Sequence, residues 1–388
     1  MKTTILTSAP CPESAIAALL KNLQTFSHTE VEILYLGSPG LRPPNLPDPV
    51  QFFSAQEQVA LLSVYSPELA RSFGYNAPVR TLPGLFKAWI DGASHILLWD
   101  GGLPDATQDF LGAHHDALAL GETPQLSTGL QWCNIYATLN VVGDTSVFPR
   151  GFPHDLRKDN GALAIAESAP RPTRVVANSG LRLGPLDMDS ISRLERTSHS
   201  LGWRRTDDSV TLAPGVWCPF PAANLMLRRE AIPAYFLCGY LENYGAVWAS
   251  FLLQRVAAHL GEAISFGAPF LASSAEVQAD PWLELDRERP GLRRTGELAK
   301  AIRHLPLHGG TYGECIQQIA ADLPLAWPQG LLRGPHAWSG YSVEWRKRFL
   351  DGLRLWVEAC ESAAARSKAN LYNALEPAAQ DTATSVMA

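Results

Sequence analysis

His95-Ile96-Leu97-Leu98-Trp99 is a nearly continuous apolar run that breaks off at Asp100-Gly101-Gly102. A strand with one face in water alternates apolar and polar residues. A run without alternation fits a strand covered on both faces, as in a parallel sheet. Residues 3–7 and 31–36 also read as strands. Between them, Ile16, Leu19, Leu20 and Leu23 recur at helical spacing, and residues 85–90 read as a helix. This alternation predicts an α/β fold: an open mixed sheet flanked by helices. Residues 39–49 hold too many prolines for regular structure.

Residues 131–228 are richer in strands, loops, prolines and glycines. An amphipathic helix is expected next, with Trp248, Leu252, Val256 and His259/Leu260 on one face, and then a strand over 263–270. Further on, residues 296–304, 312–321 and 343–361 carry helical patterns, and from Ser362 the chain turns small and polar. The expected division is an α/β unit over 1–285, a helical extension packed on it over 286–361, and a flexible tail over 362–388.

The chain has 388 residues, of which 46% are hydrophobic, enough for a sizeable core. Its 32 basic residues are outnumbered by 38 acidic ones, and no Lys/Arg tract occurs, which argues against nucleic acid as a partner. No apolar run approaches the roughly 18 residues of a membrane span, and the N-terminus does not read as a signal peptide. Cysteines at 11, 133, 218, 238, 315 and 360 form no CxxC pair, so they read as buried, reduced thiols. The expected location is cytoplasmic. His114-His115-Asp116 is the only histidine cluster, but sequence neighbours on a helix point apart, so it is not read as a site.

No P-loop, G-x-G-x-x-G, G-x-S-x-G or H-E-x-x-H motif is present. Candidate chemistry is therefore positional. Ligands of open α/β sheets bind outside the carboxyl ends of the strands, which singles out Asp100 as a group for a ribose, metal or sugar hydroxyl. An Asp-Gly turn explains it equally well. Residues 148–157, FPRGFPHDLR, place Arg150 and Arg157 seven apart on a segment stiffened by Pro149 and Pro153. Such arginines suit diphosphate or carboxylate binding. In Leu186-Asp187-Met188-Asp189 the two carboxylates share a side if the stretch is extended; helix capping is the alternative.

FPRGFPHDLR resembles the arginine-bearing segment of the reversibly glycosylated polypeptides, the UDP-arabinopyranose mutases. It also resembles the WPRGFP segment of STELLO-type glycosyltransferase-like proteins. Other pieces match in the same order: VQFFSAQ at 50–56 and GYNAPVRTLPGLFKAWIDGA at 74–93 (STELLO-type), Asp187-Met188-Asp189 at an Asp-x-Asp, CPFPAANLMLRRE at 218–230 around Asn224, the tryptophan-led helix and strand of 248–269, and Trp356-Val357-Glu358-Ala359. The resemblance implies a glycosyltransferase A-like fold with a nucleotide-sugar site, a UDP-sugar above all. In the mutases two arginines of the FPRG-type segment are needed for activity, and one carries the transferred sugar. They correspond to Arg150 and Arg157. Arg80 takes the basic position of the STELLO-type segment and would face the diphosphate.

The chain departs from these families where they carry acidic groups or a histidine. It has Asp100-Gly101-Gly102 in place of a run of aspartates, Gly245-Ala246 in place of two aspartates, and Ser273 where a histidine stands. A divalent ion on oxygen ligands normally needs one or two protein carboxylates besides the phosphates, so no metal cofactor is expected. Two readings follow. One is a metal-independent glycosyltransferase or sugar mutase. In it Arg80, Arg150 and Arg157 hold the diphosphate, with Asp100 and Asn224 as further binding residues, and Asp187 or Asp189 orients or deprotonates a sugar hydroxyl. The other is a non-catalytic nucleotide-sugar-binding or partner subunit. Under the first, Arg150→Ala is expected to abolish turnover with the fold intact. Sugar, acceptor and homo- or hetero-oligomeric state stay open.

Overall fold

A computed structural model describes residues 2–8, 11–40, 45–72, 81–119, 122–128, 131–143, 146–158, 165–195, 198–205, 208–241, 243–272, 280–327 and 339–385. The first hundred residues form β1 (Thr3–Ser8), α1 (Glu13–Thr25), β2 (Val31–Leu36), β3 (Val50–Phe53), α2 (Ala55–Tyr65), α3 (Pro67–Ser72), α4 (Thr81–Ile90) and β4 (His95–Trp99). The four strands are parallel, in the order β3-β2-β1-β4. The apolar run of β4 is buried throughout, as its sequence predicts. Leu97 and Trp99 join the side packed by Ile16 and Leu19 of α1, whereas Ile96 and Leu98 join the side packed by Leu85 and Phe86 of α4. α2 opens on a capping box, with the Ser54 hydroxyl accepting from the Glu57 amide and Glu57 accepting from the Ser54 amide.

Beyond β4 come β5 (Leu103–Pro104), α5 (Phe110–Ala119), β6 (Glu122–Ser127), β7 (Leu139–Gly143), β8 (Ala166–Pro172), β9 (Val175–Pro185), α6 (Ser190–Glu195), β10 (Ser198–Trp203), β11 (Ser209–Leu212), β12 (Asn224–Arg228), α7 (Asn243–His259) and β13 (Ala263–Ala272). β12 lies antiparallel between β4 and β9, and the sheet continues through β13, β11, β6 and β8. It is a mixed sheet flanked by helices. α7 departs from the single stripe expected of it: Tyr244, Val247, Trp248, Phe251, Leu252, Leu253 and Val256 are all buried. The helix is enclosed because β13 covers one side and later helices cover others. Its polar Gln254 is satisfied there by the Cys218 backbone, accepting from N–H and donating to C=O, each at 2.9 Å.

α8 (Pro281–His304), α9 (Tyr312–Ala326) and α10 (Ser339–Ser385) complete the chain. α8 begins before the predicted boundary at 286 and runs through it. The expected tail from Ser362 is instead a continuation of α10, consistent with its alanine-rich sequence. Arg366 of this stretch donates to the Val64 carbonyl at 2.9 Å. An aromatic cluster ties these helices to the rest: Trp248 meets Trp327 and Phe349 at ring separations of 5.5 and 4.9 Å. All six cysteines are free and buried. No described helix is long and apolar enough to cross a membrane.

Trp356 of α10 is fully buried, packs edge-on against Phe86 of α4, and donates its indole N–H to the Pro233 carbonyl at 2.9 Å. Trp356→Ala is expected to cost about 3–5 kcal/mol. Urea denaturation should still show one transition, because the C-terminal helices share the core of the sheet; a separate early transition would make them an independent unit.

Candidate functional site: two aspartates held by arginines

The FPRG segment turns sharply at Gly151, whose φ of +86° lies in the left-handed region. A Cβ there would sit 2.3 Å from Val247 Cγ1 of α7, so glycine is also needed for close packing. Phe148 and Phe152 anchor the turn in the core, and the Phe152 amide donates to the Pro149 carbonyl at 3.0 Å. Arg150 is thereby aimed at the segment that leaves β9. Its backbone amide donates to the Asp187 carbonyl at 3.0 Å. Its side chain donates to Asp187 Oδ1 from Nε at 3.0 Å and from Nη2 at 2.8 Å. The remaining nitrogen, Nη1, pairs with Glu288 of α8.

Arg157, from the 3-10 turn His154–Lys158, takes the second aspartate. It donates to Asp189 Oδ2 at 2.5 Å, to the Ser192 hydroxyl at 2.9 Å and to the Phe152 carbonyl at 2.9 Å. Asp189 Oδ1 accepts from the Ser192 amide at 2.9 Å, so this residue caps α6. The capping alternative is therefore realised at Asp189, while Asp187 pairs across to the loop. Glu288 accepts from the Ser190 amide at 2.8 Å, and Arg193 pairs with Glu284 and lies 3.5 Å from Glu288.

Three arginines thus meet four carboxylates, a set already more than neutralised without any ligand. Burial works against the Arg150 charge, but Asp187 overcomes it and the pKa is raised. Burial would raise the Asp189 carboxyl; the charge and hydrogen bonds of Arg157 and the Ser192 amide outweigh it and hold the pKa low. Asp189 is fully buried with both oxygens engaged, so it holds Arg157 rather than presenting a base. Asp187 differs. No described residue bonds its second oxygen, and it lines a small cleft of about 30 Å³ together with Tyr136, Ser179, Gly180, Arg182 and Phe220.

Asp100 reaches the same region from the other side. β12 begins at Asn224, opposite Trp99 of β4, and Leu225 pairs with Ser179 of β9. Just before the start of β12, where the Asp100 amide meets the Ala223 carbonyl, the Asp100 carboxylate pairs with Arg182 of β9. Asp100 Oδ1 also accepts from the Gly102 amide at 3.3 Å, so the Asp-Gly turn and the exposed carboxylate are both present.

Asn224 is buried and internally committed. It donates to the Pro269 carbonyl at 2.9 Å and accepts from His114 Nε2 at 2.9 Å; His114 Nδ1 in turn faces the Asn178 amide at 2.9 Å. Gly180 makes room for it, since a Cβ there would lie 2.2 Å from Asn224 Nδ2. Its geometry is that of a strand-end clamp. Arg80 and Ser273 lie outside the described residues. Sequence reasoning missed Arg182, Glu288 and Tyr136. Arg182 alone carried a signal, as the polar break in Leu181-Arg182-Leu183.

Among the described residues no group of three or more His, Cys, Asp or Glu side chains could hold a metal ion. The glycines at 101, 102 and 245 have close neighbours. Gly101 has φ +88° and a Cβ there would lie 3.0 Å from Cys11 Sγ; at Gly102 it would lie 3.0 Å from Leu271 Cβ, and at Gly245 only 2.4 Å from the Cys238 carbonyl. Carboxylates do not fit at those three positions without movement of their neighbours.

The ion pairs correct one expectation. Arg150→Ala leaves Asp187 without its cation and the buried Glu288 with only the Ser190 amide and Arg193, so it should destabilise the fold by about 3–5 kcal/mol rather than leave it intact. Equilibrium denaturation checks this, and unchanged stability would show the cluster to be energetically idle. His114 adds a pH dependence. Burial lowers its pKa to about 3, against a partial rise from its Asn224 bond, so it is neutral in the fold. The unfolded chain takes up that proton near 6.5, the ordinary imidazole value. Stability is therefore full above that value and falls as pH drops toward the folded pKa, by up to about 1.4 kcal/mol per unit. His114→Gln should flatten the fall between neutral pH and pH ~4 in denaturation series. An unaltered slope would contradict the assignment.

No family model matches the chain. Among curated proteins it is 26% identical over 185 residues to a probable UDP-arabinopyranose mutase 4 of Arabidopsis thaliana, covering 46% of each chain. It is 24% identical over 188 residues to a probable UDP-arabinopyranose mutase 1 of Solanum tuberosum, covering 46% of this chain and 47% of that one. With the corresponding Pisum sativum protein it shares 26% identity over 151 residues, 37% of each. The chain spans about half the length of the curated relatives it matches. The STELLO-type side of the resemblance gains no support from them. Over about half its length the chain is similar to the UDP-arabinopyranose mutases, the reversibly glycosylated polypeptides.

Proposed function

We propose that the chain binds a UDP-sugar over the small cleft whose rim carries Asp187 and Arg182, on a glycosyltransferase A-like sheet, and acts at the anomeric carbon by transfer or isomerisation. The observation that carries this reading is Asp187. Its carboxylate is oriented by a buried arginine through one oxygen, while no described residue bonds the other and the cleft opens beside it. A carboxylate so fixed suits orienting or deprotonating a sugar hydroxyl. As the bond from the anomeric carbon to the diphosphate breaks, negative charge grows on the leaving oxygen, where a fixed cation helps most. The mutase names of the relatives support the UDP-sugar class.

In this reading Arg150 and Arg157 act by holding Asp187 and Asp189, because their charge is already matched. Arg80 keeps the diphosphate role that the resemblance implies for it. This reading expects no divalent metal, since Asp100 is paired with Arg182 and the neighbouring positions 101 and 102 are glycines. Six free, buried thiols fit a reducing compartment, so we place the protein in the cytoplasm. A partner-subunit role is the second reading. Ile191 and Leu194 of α6 and Trp282 and Leu283 of α8 are exposed on two helices that pack together, which favours it.

A thermal-shift panel of nucleotide sugars, in EDTA and with Mn²⁺, separates these outcomes. A ligand at 100 times its dissociation constant adds about 2.7 kcal/mol, so a UDP-sugar should raise the melting temperature in EDTA. Product analysis on that ligand should show released UDP or a converted sugar. An intact ligand favours the binding subunit, and no stabilisation by any UDP-sugar overturns the reading.

A further inference from the structure

We infer that Arg182 takes the place of a divalent cation: its guanidinium binds the diphosphate of the nucleotide, and Asp100 holds that guanidinium at the strand end. This deepens the UDP-sugar reading above and rests on it.

The placement comes from the sheet. β9 is buried from Val175 to Leu181 and then emerges, so Arg182 is the first residue of the strand to reach solvent. Its register partner on β13 is Leu271, the residue that fills the space beside Gly102. Asp100 follows the last residue of β4, its backbone held by a bond from its amide to the Ala223 carbonyl at 3.2 Å. The carboxylate that ends a buried parallel strand is where an open α/β sheet presents a group to its ligand. Here that group is already occupied by a cation of the same chain.

The alternatives are closed off by geometry. A metal at Asp100 would have to displace Arg182, and a second carboxylate at 101 or 102 would press on Cys11 or Leu271 and one at 245 would collide with the Cys238 carbonyl. Among the other arginines of the region, Arg150 faces Asp187 and Glu288, Arg157 faces Asp189, and Arg193 faces Glu284. Arg182 has one carboxylate partner and lines the cleft beside Asp187, while its Nε is buried without a hydrogen-bond partner among the described residues. A guanidinium offers two parallel N–H donors that match a phosphate, and it carries its charge at every physiological pH. Placed next to a leaving diphosphate, it supplies the compensating charge with no ion to bind or lose.

The test is calorimetric titration of UDP into the protein in EDTA and again with Mn²⁺. Wild type should bind equally in both. Arg182→Ala should keep its ligand-free melting behaviour and lose roughly 10- to 150-fold in affinity, the range of one charge-assisted contact. Arg182→Lys should recover part of it. Asp100→Asn should bind UDP more tightly in EDTA, because the competing carboxylate is gone; a metal ligand replaced in this way would weaken binding. The inference is overturned if Arg182→Ala binds like wild type, if Asp100→Asn loses affinity, or if wild type binds only with Mn²⁺. Absence of UDP binding to wild type under both conditions would instead remove the UDP-sugar reading, and this inference with it.

Discussion

The ion cluster around Arg150 is the constraint on which the candidate site depends. A buried charge is tolerated only when it is paired and hydrogen-bonded, and one guanidinium here engages two carboxylates from distant parts of the chain. Asp187 belongs to the segment leaving the sheet and Glu288 to a helix of the C-terminal region. The FPRG turn, the exit of β9 and α8 are therefore locked by one side chain. Glu288 also accepts from the Ser190 amide, so the start of α6, and with it Asp189, is set by the same helix. The C-terminal helices are part of the machinery that positions the aspartates, rather than a cover laid over a finished domain.

That lock changes the meaning of the FPRG arginines. Two arginines on a proline-stiffened loop read naturally as anion binders, and composition offers no reason to think otherwise. The four carboxylates that neutralise the region come from two segments a hundred residues apart, so their sum is invisible until the chain is folded. Once it is, a phosphate approaching Arg150 would have to displace a carboxylate from a buried pair. The loop is better understood as the frame that holds one aspartate to the cleft and another to a helix cap.

How much of this could be read from the sequence follows from how local each signal was. The β4 run announced its own burial, and the Asp100 turn marked its end; both depend on neighbouring residues. The apolar pattern of α7 was visible as one stripe only, because enclosure by β13 and later helices is a tertiary fact. The continuation of α10 past Ser362 was missed because a small, polar composition was read as disorder, although alanine favours helix in a chain that packs even a few of its side chains. Asn224 was marked by its place in a motif, yet its partners Pro269, His114 and Leu181 lie far off in sequence. Glu288 had no signal at all, one acidic residue among many charged ones in α8.

The glycines at 101, 102 and 245 show why sequence departures needed a structure to be interpreted. Read alone, a missing carboxylate is only a loss, and loss points toward an inactive relative. In the fold, each glycine sits against a neighbour that closes the space: the Cys11 sulfur, the Leu271 side chain and the Cys238 carbonyl. These positions are tight against their neighbours, and the cationic group that faces Asp100 is Arg182 of β9. A bound ion can be exchanged, chelated or outcompeted, and its charge can be shared among several ligands. An arginine held by a single aspartate offers less charge but never leaves, and its direction is set by a strand. A site built this way trades strength of charge for permanence. Under the proposed UDP-sugar reading, it would suit a diphosphate that must be held and released repeatedly, with the sugar end left to the oriented carboxylate of Asp187.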